Sequence, residues 1–153
     1  MAQAAKVTPE PSREERIRAL LGGAKVLRPV STLFQLHAAA ERGFNVVVVE
    51  MLSKNLNASR EELLHALTLS PRTLVRRQKE GVLSSEESDR VLRLARVASQ
   101  AEQVLGGREE AVNWLHRPNR SLGGRKPLEL VRTDAGAELV VDVLGRLEHG
   151  VFG

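Results

Sequence analysis

The 153-residue chain has no cysteine, no tyrosine and only four aromatic residues: Phe34, Phe44, Trp114 and Phe152. Without thiols there is no disulfide framework, no thiolate zinc site, no iron–sulfur cluster and no cysteine nucleophile. So few rings argue against recognition of single-stranded nucleic acid by base stacking. Long apolar runs are missing too. The longest near the middle is Val46–Val49, far short of the roughly 20 residues of a membrane-spanning helix. The first 18 residues mix Pro, Glu and Arg and have no apolar stretch, so no signal peptide is expected. A cytoplasmic protein is the expectation, and the absence of cysteine is compatible with a reducing compartment.

Catalytic patterns are also lacking. His37, His65, His116 and His149 are scattered, and no His-Glu-x-x-His pair exists. The stretch Leu122-Gly123-Gly124-Arg125-Lys126-Pro127 lacks the spacing of a phosphate-binding loop, and no motif positions a serine nucleophile. The expectation is a binding protein with no catalytic residue, no cofactor and no metal.

What is there is charge, unevenly placed. Lys and Arg number 23 against 19 Asp and Glu, a net charge of +4. Residues 127–153 run the other way: Arg132 and Arg146 face Glu129, Asp134, Glu138, Asp142 and Glu148. A basic body with an acidic end suits two partners of different charge, although ordinary surface variation produces the same pattern.

The chain reads as all-α. Residues 1–12, with Pro9 and Pro11, are expected to be a disordered tail. Residues 13–42 hold two N-terminal helices: one from Arg13 to about Leu21 behind a Ser12/Glu15 capping box, and one from about Ser31 to Arg42. Residues 43–105 follow. Within them Val46–Leu56 is ambiguous, since four valines favour a strand while Val46, Val49, Leu52 and Leu56 keep helical spacing; helix is the reading adopted. Ser59 with Glu62 opens a helix at Arg60 that reaches Leu67. Ser70 caps a second, Pro71 to Lys79, with proline at the first helical position. Ser84 with Glu87 opens a long connecting helix to about Leu105, with Val91, Leu94, Ala98, Ala101 and Leu105 on one stripe. Residues 106–153 form the last region. It has a helix around Trp114, a Gly-rich loop, a short helix from Pro127, and a last helix from Asp134 capped by Thr133.

Two short helices joined by a tight turn, the second basic, describe a helix-turn-helix. The second carries Arg72, Arg76, Arg77 and Lys79 and no acidic residue up to that point. An arginine fork matches guanine O6 and N7, and other cations pair with phosphate. Candidate DNA-contacting residues are therefore Ser70, Arg72, Thr73, Arg76, Arg77 and Lys79. A solvated basic face on a helical bundle is the plain alternative.

From residue 106 onward the sequence becomes specific. Trp114-Leu115, Pro118-Asn119, Leu122-Gly123-Gly124, Pro127-Leu128-Glu129-Leu130, Thr133-Asp134-Ala135-Gly136-Ala137 and Leu144-Gly145-Arg146-Leu147-Glu148-His149-Gly150-Val151-Phe152 stand in order. With Ser70–Arg77 and Leu83–Val91 upstream, this set closely resembles the Xre/MbcA/ParS-type antitoxins of bacterial type II toxin–antitoxin modules. The resemblance implies an Xre-like helix-turn-helix region followed by a small helical toxin-binding domain. It also implies a homodimer, an NAD-consuming toxin of the RES or ADP-ribosyltransferase-like class as partner, and repression of its own operon through operator DNA. In that picture the C-terminal end blocks the toxin's active site. The residues that match are Asn119, Leu122, Gly123, Gly124, Arg146, Glu148, His149, Gly150, Val151 and Phe152. Trp114 is expected to pack in the core. Phe152, almost the last residue, either folds back on the last helix or anchors in a partner pocket. A second expectation is a stand-alone helix-turn-helix regulator whose C-terminal domain serves only dimerisation.

Overall fold

A computed structural model describes Ala5 and Val7 to Gly150. Nine α-helices account for most of the described chain: α1 (Arg13–Leu20), α2 (Leu33–Arg42), α3 (Val47–Asn55), α4 (Arg60–Ala66), α5 (Pro71–Glu80), α6 (Ser85–Leu105), α7 (Arg108–Leu115), α8 (Pro127–Leu130) and α9 (Asp134–Glu148). Extended pairing among the described residues is confined to two isolated bridges, Asn45 with Val82 and Asn119 with Arg125. The all-α reading stands, and the valine run is helical.

The helix starts follow from local chemistry. Ser12, Thr32, Ser59 and Ser84 each accept a hydrogen bond from the backbone N–H three residues on, and Glu15, Gln35, Glu62 and Glu87 bond back to the cap. Each such cap contributes about 1 kcal/mol by satisfying N–H groups that have no intrahelical partner. The Thr32/Gln35 box sharpens the start of α2, which begins two residues later than the apolar pattern indicated.

Helix α6 is the spine. Helices α1, α2 and α3 pack on it from one part of the chain, and α7 and α9 from the other. The expected stripe is too narrow. Leu92, Ala95, Val97 and Ser99 are buried as well, whereas Leu105 is only half-buried. Ala95, Ala98 and Ala101 have small side chains that admit neighbours closely, and hydropathy patterning weights them lightly. Fully buried Ser88 accepts a hydrogen bond from the Phe44 N–H at 2.9 Å, tying the α2–α3 connection to the spine. The buried apolar residues form one connected core from Ile17 to Leu144.

Candidate functional site

The basic helix is built as a stem with a capped entrance. Ser70 Oγ accepts from the Thr73 N–H at 3.0 Å and donates to Thr73 Oγ1 at 2.9 Å. Leu74 is the residue that buries α5, and Val75 stays about half exposed. Arg72, Arg76 and Lys79 are exposed and make no ion pair among the described residues. Those three are free to meet an external anion.

Arg77 is placed differently. Its Nε and Nη2 donate to the two carboxylate oxygens of Glu87 at 2.7 and 3.2 Å, and its Nη1 donates to Glu80 at 2.8 Å. Bidentate pairing of this kind holds a guanidinium in one plane. Glu87 also accepts the Ser84 N–H at 2.8 Å, so one carboxylate caps α6 and grips α5. Burial works hardest against ionisation of Glu87. The Arg77 hydrogen bond and charge, with the Ser84 backbone bond, outweigh it and hold the carboxyl below its ordinary range. The Glu87 and Glu80 hydrogen bonds in turn raise the Arg77 guanidinium further above its usual value. Arg77 was expected on the DNA-contacting face; here it clamps α5 to the spine, because its acidic partner arrives from the next helix.

The turn into α5 holds a second unpredicted feature. At the end of α4 the Thr68 N–H bonds to His65 O and the Leu69 N–H to Leu64 O, at 3.1 and 2.9 Å. This is a Schellman ending, which needs a left-handed residue at its bend. Thr68 takes that place with φ +50°. Asn57 does the same after α3, with φ +47°.

The C-terminal candidates differ in placement. Asn119 Oδ1 accepts from the Ser121 N–H at 2.8 Å and its backbone bridges to Arg125, which closes the loop on itself. Leu122 is 6 % exposed and belongs to the core, so its side chain is not presented to a partner. Gly123 and Gly124 are exposed and both have positive φ, +68° and +77°. Their space is open, so the loop needs them for backbone conformation rather than close approach. The short 3-10 turn Arg120–Leu122 packs on α9, which carries Arg146 and Glu148. Arg146, Glu148, His149 and Gly150 are exposed; Val151 and Phe152 lie outside the described residues. Gly136 is a close-approach glycine: a Cβ there would stand 1.9 Å from the Leu130 carbonyl oxygen. Trp114 is half-buried against the core, as expected of a packing residue.

Two contacts that join the C-terminal region to the rest went unforeseen. His116 Nε2 lies 2.8 Å from the Leu56 carbonyl oxygen, with its Nδ1 3.4 Å from Glu62. Arg93 of α6 donates to the carbonyls of Val131 and Arg132 at 3.0 and 2.7 Å and pairs with Asp134. No local motif marks either one, since the partners are roughly 40 to 60 residues apart. Among the described residues no cluster of His, Asp and Glu could hold a metal ion, and no helix is long and apolar enough to cross a membrane.

Comparison with known proteins gives consistent matches along this architecture. The model of the antitoxin Xre-like helix-turn-helix domain matches residues 35–96. The model of the antitoxin Xre/MbcA/ParS C-terminal toxin-binding domain matches residues 100–150. The first match begins inside α2, ahead of the boundary expected at residue 43. An antitoxin Xre of Yersinia enterocolitica is 36% identical over 126 residues, covering 81% of this chain and 85% of that protein. The mycobacterial cidal antitoxin MbcA of Mycobacterium bovis is 33% identical over 72% of this chain and 98% of its own length. The crystal structure of the Mycobacterium tuberculosis MbcT–MbcA toxin–antitoxin complex contains a chain that superposes with a TM-score of 0.51 at 27% identity. The superposition covers 81% of this chain and all of that one.

Proposed function

The chain belongs to the Xre/MbcA/ParS antitoxin family and is the antitoxin of a toxin–antitoxin pair; from that premise we propose that it neutralises an NAD-consuming toxin with its C-terminal region and represses its own operon through α5. The observation that carries this reading is the separation of two unlike exposed sets. Arg72, Arg76 and Lys79 stand on a helix that begins behind a serine cap and a tight turn, which is the layout of a recognition helix. Glu148, His149 and Gly150 stand at the far end of an acidic segment. An acidic end is drawn to a pocket built to hold the phosphates of NAD. The functional unit in this proposal is a cytoplasmic homodimer.

Co-expression with the neighbouring gene product tests it, followed by co-purification and an NAD-consumption assay. The expected outcome is a complex in which NAD loss is suppressed. Phe152→Ala, or removal of residues 151–153, should weaken suppression more than it weakens binding to the promoter region. Undiminished NAD loss at a molar excess of the antitoxin would sink the neutralisation half of the proposal. Unchanged salt dependence of promoter binding in the Arg72→Ala, Arg76→Ala double variant would sink the repression half.

A further inference from the structure

We infer that the toxin-binding region lends the DNA-binding surface a phosphate contact, Arg132. The inference rests on the DNA-binding reading of α5 and adds to it a residue from the other end of the chain. Helix α8 packs on α4. That contact brings the segment after α8 beside the helix-turn-helix, where Arg60, His65, Ser70, Pro71 and Arg132 line one open groove. Glu61 also lines the groove. Arg60 and Arg132 are both exposed, and neither makes an ion pair among the described residues.

Three features mark Arg132 as more than a stray surface cation. It is one of only two basic residues in a segment with five acidic ones, yet it is the member placed at the entrance of α5. Its backbone is fixed: Arg93 donates to the Arg132 carbonyl at 2.7 Å and to the Val131 carbonyl at 3.0 Å. A cation on a pinned backbone loses less freedom on binding than one on a loose loop. Finally, the groove it shares runs along the first helix of the helix-turn-helix and the turn. In this motif the first helix crosses the sugar–phosphate backbone while the second enters the major groove. A duplex seated on α5 would therefore run its backbone past Arg60 and Arg132. The contact is one of position, without base preference.

The test measures binding of the full-length protein to two duplexes across a salt series. One carries the promoter region upstream of the antitoxin's own reading frame; the other is a scrambled sequence of equal length. Each phosphate contact adds about 0.9 to the slope of log affinity against log salt. Arg132→Ala and Arg132→Gln should each flatten the slope by about 0.9. They should weaken both duplexes alike, about five-fold at 0.15 M salt and about 15-fold at 0.05 M. Arg132→Lys should keep the slope, and Arg96→Ala, on an exposed position of α6, should match the parent. The side chain is exposed, so the variants should melt with the parent, and the glutamine and lysine pair carries the test if alanine does not. A parental slope in Arg132→Gln, together with a flattened one in the Arg72→Ala, Arg76→Ala variant, overturns the inference and leaves the DNA-binding reading intact. A parental slope in both overturns the two together.

Discussion

Thr68 shows how much one residue can hold in reserve. A β-branched side chain in the left-handed region is strained by about 1–2 kcal/mol. The Schellman hydrogen bonds at the end of α4 keep it there. Glycine has no such strain but loses more freedom on folding, by roughly 0.5–1 kcal/mol. Thr68→Gly should therefore stabilise the protein by about 0.5–1 kcal/mol, a rise of a few degrees in melting temperature. Asn57→Gly should change it little, because asparagine tolerates the same backbone. Thermal melts followed by circular dichroism compare the two; a lower melting temperature for Thr68→Gly would contradict the strain argument. The sequence reading ended the helix at Leu67, ahead of Thr68, but gave no sign of the left-handed backbone there, since a threonine carries no such signal.

At the scale of helices, what was legible was whatever depends on neighbours three or four residues away. Caps at Ser12, Ser59, Ser70, Ser84 and Thr133 placed five helix starts because a cap satisfies N–H groups within its own first turn. What depends on another helix was not legible, and Arg77 is the clearest case. Its spacing beside Arg76 looks like a DNA face until Glu87 is brought against it. The Arg77–Glu87 clamp has a pH signature. Glu87 is held below its ordinary value of 4.5, so the folded state binds its proton less readily than the unfolded chain. Its contribution is complete above about pH 4.5 and is lost as pH falls through the lowered value. Glu62 is lowered as well, by the Ser59 backbone bond first and by the charges of His116 and Lys126. Stability should thus decline steadily below about pH 4.5. Glu87→Gln should be less stable than the parent at pH 7 and fall less steeply in acid. Denaturant midpoints at about pH 7, 4.5 and 3 measure this, and parallel acid curves for the two proteins would refute it.

At the scale of the molecule, two of the exposed large apolar residues are neighbours on α2. Phe34 is 77 % exposed and Leu33 36 %. Phe34 also walls a groove of about 400 Å³ with Val30, Ala38, Ala39 and Phe44. Phe34 is one of only four aromatic residues in the sequence, and patterning marks such a residue as apolar without saying what covers it. A residue that is both the knob and part of the socket suits a two-fold contact between identical chains. Phe34→Glu should convert the proposed homodimer into a monomer with an unchanged helical spectrum, and light scattering after size exclusion reads the mass. A parental mass for Phe34→Glu would remove α2 from the contact. Arg132 and Arg60 were likewise invisible in the sequence as a pair, since only the seating of α8 on α4 makes them neighbours. The shared spine has a genetic consequence. Helices on both sides of α6 complete its burial, so loss of α7 to α9 would bare the spine on which α1, α2 and α3 also pack. On the proposed reading, a nonsense mutation ahead of α7 would therefore remove repression and neutralisation together. Under that reading a single lesion would leave the promoter unregulated and the toxin unopposed.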